Sequence, residues 1–229
     1  MCGVVGVQLF DMADGDIEKV TRVIAESGIR GLHATGVTYL KGGKLHTIKE
    51  AMPAHEFLLK HPVENFVDGN NLTMIAHCRY STSDIEYNQP FDSQDFSIVH
   101  NGVISQELPE NWERLYGYKT ETKNDSELLL RTVEAGKSPF KEWKSSSISA
   151  IELWNDNRLR FYRNGKRPMC LTYIQTGCII ASTVDVFTRA ETLAPVESVT
   201  AGCYCTLDDL GGFIIEREVS VDDLQDCYY

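Results

Sequence analysis

The chain has 229 residues, 42% of them hydrophobic, enough for one sizeable core or two small domains. Its 22 Lys and Arg stand against 33 Asp and Glu, a net charge of -11, so no long-range attraction draws it to phosphate backbones or anionic lipid. Direct nucleic-acid binding is therefore not expected. Nor is a membrane span, because no apolar run is long enough.

The opening segment, MCGVVGVQLFDMADGD, lacks the basic region of a secretory signal. Residues 3–10 are short, apolar and β-branched, and predict a buried strand. Ile17, Val20, Val23 and Ile24 recur at helical spacing between Asp14 and Ser27, with Asp14 or Asp16 as cap and Gly28 as stop. Residues 34–40 and 44–49 predict a hairpin turning at Gly42 and Gly43. A short helix is expected from Pro53 to His61, then strands over 72–80 and 96–100. The polar stretch 80–95 between those strands reads as a loop long enough to be functional.

A helix is expected from Asp125 to Ala135, with Asn124 and Glu127 spaced as in a capping box. Residues 137–147 read as a surface loop, followed by strands over 148–154, 158–163, 169–175, 178–182, 202–207 and 212–217. Strand pairs alternating with isolated helices argue a layered α/β or α+β sheet, in a single domain over 1–229 without a strong linker. The seven cysteines (Cys2, Cys78, Cys170, Cys178, Cys203, Cys205 and Cys227) are odd in number and irregular in spacing, which fits a reducing, cytoplasmic compartment. Cys203 and Cys205 form a lone C-x-C, read as core thiols in preference to a metal site.

Cys2 is small enough for the preceding Met1 to be removed, which would put a thiol and a free α-amine on one residue. With ordinary pKa values of about 8.5 and about 7.7–8.0, the amine can serve as general base for its own thiol. Taken alone, Cys2 reads more simply as a buried thiol at a chain start.

Five ordered segments change that reading: Cys2-Gly3; Arg30-Gly31 with Gly36; His77-Cys78-Arg79-Tyr80-Ser81-Thr82; His100-Asn101-Gly102; and Asn124-Asp125-Ser126-Glu127. Together they resemble the class II glutamine amidotransferases, such as the glutaminase domains of glutamine phosphoribosylpyrophosphate amidotransferase and glucosamine-phosphate synthase. Looser matches follow at Arg163-Asn164-Gly165-Lys166-Arg167-Pro168, two residues short of the family turn, at Ala181-Ser182-Thr183 and at Ala201-Gly202. The sequence departs at His33, where the family usually carries Asp. His33 and His77 are both read as structural.

The resemblance implies an α+β fold, the four-layer αββα sandwich of the amino-terminal nucleophile hydrolases. It implies Cys2 as nucleophile, with Asn101 and Gly102 as oxyanion donors. Arg79, helped by Thr82, would hold the glutamine carboxylate and Asp125 its ammonium. Arg30 and Gly31, counted with Arg79, Thr82 and Asp125 as substrate-binding, would form a loop against the nucleophile, and Tyr80–Asn88 a loop closing over substrate.

The implied substrate is L-glutamine, with no metal and no cofactor. No P-loop or pyrophosphate motif is present. The ammonia acceptor is therefore expected on a separate chain: a synthetase, a transferase or a nucleobase-modifying enzyme. Two alternatives remain at this point: a stand-alone γ-glutamyl amide hydrolase, and a catalytically silent partner-binding domain.

Overall fold

In the computed structural model, Gly42 and Gly43 take φ of 59° and 69°, the left-handed pair that a two-residue hairpin turn requires. They join β2 (Ala34–Lys41) to β3 (Lys44–Glu50) in the register expected for that turn. The structure describes residues 2–81, 87–192 and 194–219.

Before this hairpin come β1 (Gly3–Leu9) and α1 (Asp16–Ser27); after it come α2 (Ala54–Lys60) and β4 (Leu72–Arg79). Then follow β5 (Phe91–Asp92), β6 (Phe96–His100), α3 (Pro109–Tyr116), α4 (Ser126–Glu134) and α5 (Pro139–Glu142). The rest of the described chain is β7 (Ser149–Trp154), β8 (Leu159–Arg163), β9 (Cys170–Ile174), β10 (Gly177–Ala181), α6 (Val184–Arg189), β11 (Val196–Ser198), β12 (Cys203–Leu207) and β13 (Phe213–Arg217).

The strands form two antiparallel sheets, a seven-stranded one ordered β11-β9-β10-β1-β4-β2-β3 and a six-stranded one ordered β13-β12-β8-β7-β6-β5. Strand alternation sorts the side chains into three cores. Val5, Val7 and Leu9 of β1 pack outward against Val20, Val23 and Ile24 of α1, with Phe57 of α2 and Phe187 of α6 in the same core. Val4 of β1 and Ile75 of β4 point inward and meet Val99, Ile151 and Phe161 of the other sheet. Gly6 shares that inner face, and a Cβ there would come within 3.1 Å of Ile151, so glycine lets the sheets close up. On the far side Phe96 and Ile98 of β6 pack on Trp112 of α3, Leu128 and Leu129 of α4, and Phe140 of α5. The layers are thus helices, sheet, sheet, helices, the αββα sandwich expected. Among the described residues no helix is long and apolar enough to cross a membrane.

Three local expectations need correction. Neither Asp14 nor Asp16 caps α1: Gly15 stands at its N-cap, and Asp16 lies inside the helix and accepts the Ala13 N–H. Residues 137–147 are not simply a surface loop: α5 lies there, with Phe140 and Trp143 buried against the aromatic core. The capping box does not form. Asn124 accepts the Ser126 N–H through its own side chain at 3.0 Å, while Glu127 accepts the N–H groups of Glu121 and Thr122 and pairs with Arg131. A buried carboxylate so supplied with donors ties the preceding loop to α4 instead of closing the helix end.

Candidate active site

The site lies where the inner faces of both sheets end. β1 runs antiparallel to β4, with Gly3 opposite Cys78, so Cys2 sits beside Arg79. Cys2, Val4 and Gly6 share one face of β1 by alternation, as do Ile75, His77 and Arg79 on β4. Asn101 continues the inward face of Val99 beyond the end of β6. Cys2, His77, Arg79, Asn101, Gly102 and Asp125 accordingly line one cavity of about 480 Å³.

The start of β1 is clamped from two sides. The Val4 N–H donates to Ser182 Oγ at 2.8 Å, and Arg30 Nε donates to the Cys2 carbonyl oxygen at 3.1 Å. Ser182 belongs to the Ala181-Ser182-Thr183 segment, whose task was not apparent in the sequence. Burial pushes the Cys2 thiol above its ordinary value, while the Tyr80 backbone N–H, Arg79 and Arg30 act to lower it. Cys2 is only half-buried; Cys78, Cys170, Cys178, Cys203 and Cys205 are all buried free thiols. Burial pushes Cys78 and Cys178 up to about 12 and Cys205 up to about 11, leaving them little thiolate.

Arg30 and Gly31, expected among the substrate-binding residues, do not line the cavity; Arg30 acts on the Cys2 backbone. Gly31 packs directly on β4: a Cβ there would overlap the backbone of Cys78 and Arg79. Gly36 has a similar cause, since a Cβ would overlap the Gln89 carbonyl where that segment crosses β2. His33 is exposed, and its Nδ1 accepts the Ser81 N–H at 2.9 Å. A carboxylate at that position would offer the same acceptor, so the departure from the family pattern keeps the brace. Thr82 lies outside the described residues, as does the 82–86 part of the Tyr80–Asn88 loop.

A buried network fixes the turn after β6. The His100 N–H donates to Gln89 Oε1 at 2.6 Å, Gln89 Nε2 donates to Ser126 Oγ, and Ser126 Oγ lies 2.9 Å from His100 Nδ1. His100 Nε2 is 3.0 Å from the Ser147 carbonyl, which assigns the proton to Nε2 and leaves Nδ1 to accept from Ser126. Gly102 follows, with no room for a Cβ against Ser147 O.

Asn101 is 2% exposed, and its Nδ2 has no partner among the described residues. A buried amide donor left open beside a half-buried thiol is an unusual cost, and it faces the cavity. Asp125 Oδ2 accepts the N–H groups of Ile104 at 2.6 Å and Ser105 at 3.1 Å, which holds the carboxylate in place at the cavity wall. Burial, reinforced by Arg79, pushes His77 down to about 3, so its ring is neutral and a poor base. Sequence reasoning missed the roles of Gln89 and Ser126: Ser126 stood within a matched segment, but no task was assigned to either residue.

No protein-family model matches the chain. Curated proteins do: it is 28% identical over 166 residues to a glutamine–fructose-6-phosphate aminotransferase of Streptococcus pyogenes, covering 66% of this chain and 26% of that protein. The corresponding protein of Staphylococcus aureus is 27% identical over 139 residues, 58% of this chain and 22% of its own length. Among solved structures, a glutamine phosphoribosylpyrophosphate amidotransferase from B. subtilis complexed with ADP and GMP matches with a TM-score of 0.68 at 21% identity, over 94% of this chain and 49% of that one. A structure described as the allosteric regulatory enzyme of purine biosynthesis matches at 0.72 and 20% identity, with the same coverage. A glutamine aminotransferase class-II domain protein from Silicibacter pomeroyi matches over 96% of this chain and 100% of its own, with a TM-score of 0.58 at 12% identity. The chain thus spans about a quarter of the curated relatives and about half of the first two solved chains. With the ordered motifs brought together in this sandwich, the chain has the fold of the amino-terminal nucleophile hydrolases and resembles the class II glutamine amidotransferase domains among them.

Proposed function

We propose that residues 1–229 form one glutaminase domain that hydrolyses the side-chain amide of L-glutamine through Cys2, giving glutamate and ammonia. The observation that carries this reading is the convergence of Cys2, Arg79, Asn101, Gly102 and Asp125, from separate segments, on one cavity with an unpartnered Asn101 amide nitrogen. Arg79 takes the α-carboxylate and Asp125 the α-ammonium, which turns the amide toward Cys2.

With Met1 removed, the Cys2 α-amine accepts the thiol proton, directly or through a water, and Sγ bonds to the amide carbon. The oxyanion that forms is met by Asn101 Nδ2 and the Gly102 N–H. The proton passes to the leaving nitrogen, the C–N bond breaks, ammonia departs, and a glutamyl thioester remains. Water, giving its proton to the same amine, releases glutamate and restores the thiol. His77, neutral and weakly basic, is not needed for any of these transfers.

The curated relatives carry names that couple glutamine to a sugar phosphate, and the chain matches only a part of them. We place the ammonia acceptor outside these residues, on a separate synthetase, transferase or nucleobase-modifying chain, and the pair in the cytoplasm. Ammonia released into neutral water becomes ammonium, which is not nucleophilic, so direct transfer to a docked acceptor is favoured.

Intact mass should show loss of one methionine, and a glutamine-analogue electrophile should label Cys2 alone. Cys2→Ala should abolish glutamate release without loss of folding. Labelling at Cys78 or Cys203, or full activity of Cys2→Ala, would overturn the assignment.

A further inference from the structure

The cavity carries more positive charge than an amino acid needs. Among the described residues its lining has three cations, Arg79, Lys123 and Arg167, and two carboxylates, Glu107 and Asp125. On the proposed reading, glutamine uses Arg79 and Asp125. Of the described lining, Lys123 and Arg167 then remain against Glu107, in a chain whose net charge is -11.

Arg167 is the better placed of the two. Its Nε is buried and has no partner among the described residues. The turn that presents it is braced: Asn164 Oδ1 accepts the Ile148 N–H at 3.0 Å, Asn164 Nδ2 donates to Ser146 O at 2.7 Å, and Arg163 Nη1 donates to the Arg167 carbonyl at 3.3 Å. Lys166 Nζ donates to Ser145 O and so faces away from the same task. Arg167 acts electrostatically on Arg30, which binds the Cys2 carbonyl, and on His100, which precedes Asn101. It therefore belongs to the nucleophile end of the cavity, where the group leaving the γ-carbonyl must pass. A guanidinium held there with an open buried N–H is suited to a carboxylate.

We propose that Arg167 forms an anion subsite for the leaving amine, so that the site accepts γ-glutamyl amides whose amine half carries a carboxylate, such as γ-glutamyl amino acids. The inference rests on the glutaminase reading, because the γ-glutamyl half binds as glutamine does. The step keeps the same balance: Cys2 Sγ bonds to the γ-carbon, the C–N bond breaks, the nitrogen takes the thiol proton and leaves as a free amino acid. Water then hydrolyses the thioester.

The test compares γ-glutamylglycine with γ-glutamyl ethylamide, which replaces the carboxylate by a methyl group, on the full chain lacking Met1. The wild type should favour γ-glutamylglycine in kcat/KM by about tenfold, carried by KM. Arg167→Gln should bring the ratio close to one, and Arg167→Lys should leave it between. Calorimetric dissociation constants for the same two compounds on Cys2→Ala protein, with and without Arg167→Gln, read the subsite without turnover. A ratio near one in the wild type, or the same ratio after Arg167→Gln, overturns the subsite. Hydrolysis of glutamine itself by the wild type is read separately, and only its absence counts against the glutaminase reading.

Discussion

Arg30 Nε donates to the Cys2 carbonyl oxygen across 3.1 Å, joining the 3-10 turn Gly28–Arg30 after α1 to the residue just before β1. The bond fixes the backbone of the proposed nucleophile through its carbonyl and does not engage its thiol. Arg30→Gln should lower kcat for glutamine, by up to about 10²-fold if the sulfur drifts by about an ångström, with little change in Tm. Glutamate release and a thermal melt check it together; unchanged kcat would show that Ser182 holds the terminus by itself.

Arg79 and Asn101 should separate in kinetics. Arg79→Lys keeps the charge but loses the planar fork, so KM for glutamine should rise by about tenfold with a smaller change in kcat. On the proposed mechanism Asn101→Ala removes a donor used only along the reaction path and should lower kcat by about 10²–10³. Steady-state kinetics decide it, and a change confined to KM in Asn101→Ala would refute the oxyanion role.

Asp125 has a second task that the sequence did not reveal, because its Oδ2 also holds the backbone at Ile104 and Ser105. Asp125→Asn retains an acceptor for those N–H groups and loses only the charge, so it should mainly raise KM. Asp125→Ala frees the segment that carries Asn101 and Gly102 and should lower kcat as well. Equal kinetics for the two variants would mean the backbone bonds do not matter to the site.

Gly102 faces the Ser147 carbonyl with no space for a methyl group. Gly102→Ala must displace backbone, costing about 1–3 kcal/mol as overpacking does, and should lower kcat by moving the turn. Urea midpoints and turnover measured on the same preparation test both effects; a fully active, fully stable variant would contradict the packing.

His33→Asp should keep activity, because a carboxylate can accept the Ser81 N–H as Nδ1 does, whereas His33→Ala should raise KM by freeing the Ser81 backbone two residues from Arg79. Comparable KM values for the alanine variant and the wild type would remove the brace from the account.

His77 predicts a pH dependence of stability. Its ordinary pKa is 6.5, and burial with Arg79 nearby lowers it to about 3 in the fold; burial also pushes His100 down. Within that window the unfolded chain binds more protons than the folded one. Stability is therefore fully present above 6.5 and is lost as pH falls toward 3. Urea midpoints at pH ~7 and ~4.5 should differ less for His77→Gln than for the wild type. An unchanged difference would mean the acid sensitivity lies elsewhere.

Local order was readable wherever the chain's own periodicity or turn chemistry dictates it. The Gly42-Gly43 hairpin needs two left-handed residues, β1 is an apolar run, and α1 carries its apolar stripe at helical spacing; all three stand as expected. The ordered motifs were readable too, as side-chain types at given positions, and the fold brings Cys2, Arg79, Asn101, Gly102 and Asp125 from them to one cavity. Short elements were not. α3, α5, α6, β5 and β11 are too brief to show a period, and they form because Trp112, Phe140 and Phe187 find cores built by distant strands. The same cause hid the tasks of Ser182, Ser126 and Arg167. A hydroxyl that accepts from Val4 across 178 residues, or an arginine left with a buried open N–H, acquires its meaning from strand register and layer packing. The sequence by itself determined which groups were available for chemistry; the antiparallel pairing of β1 with β4, and the closure of one sheet on the other, decided which of them meet.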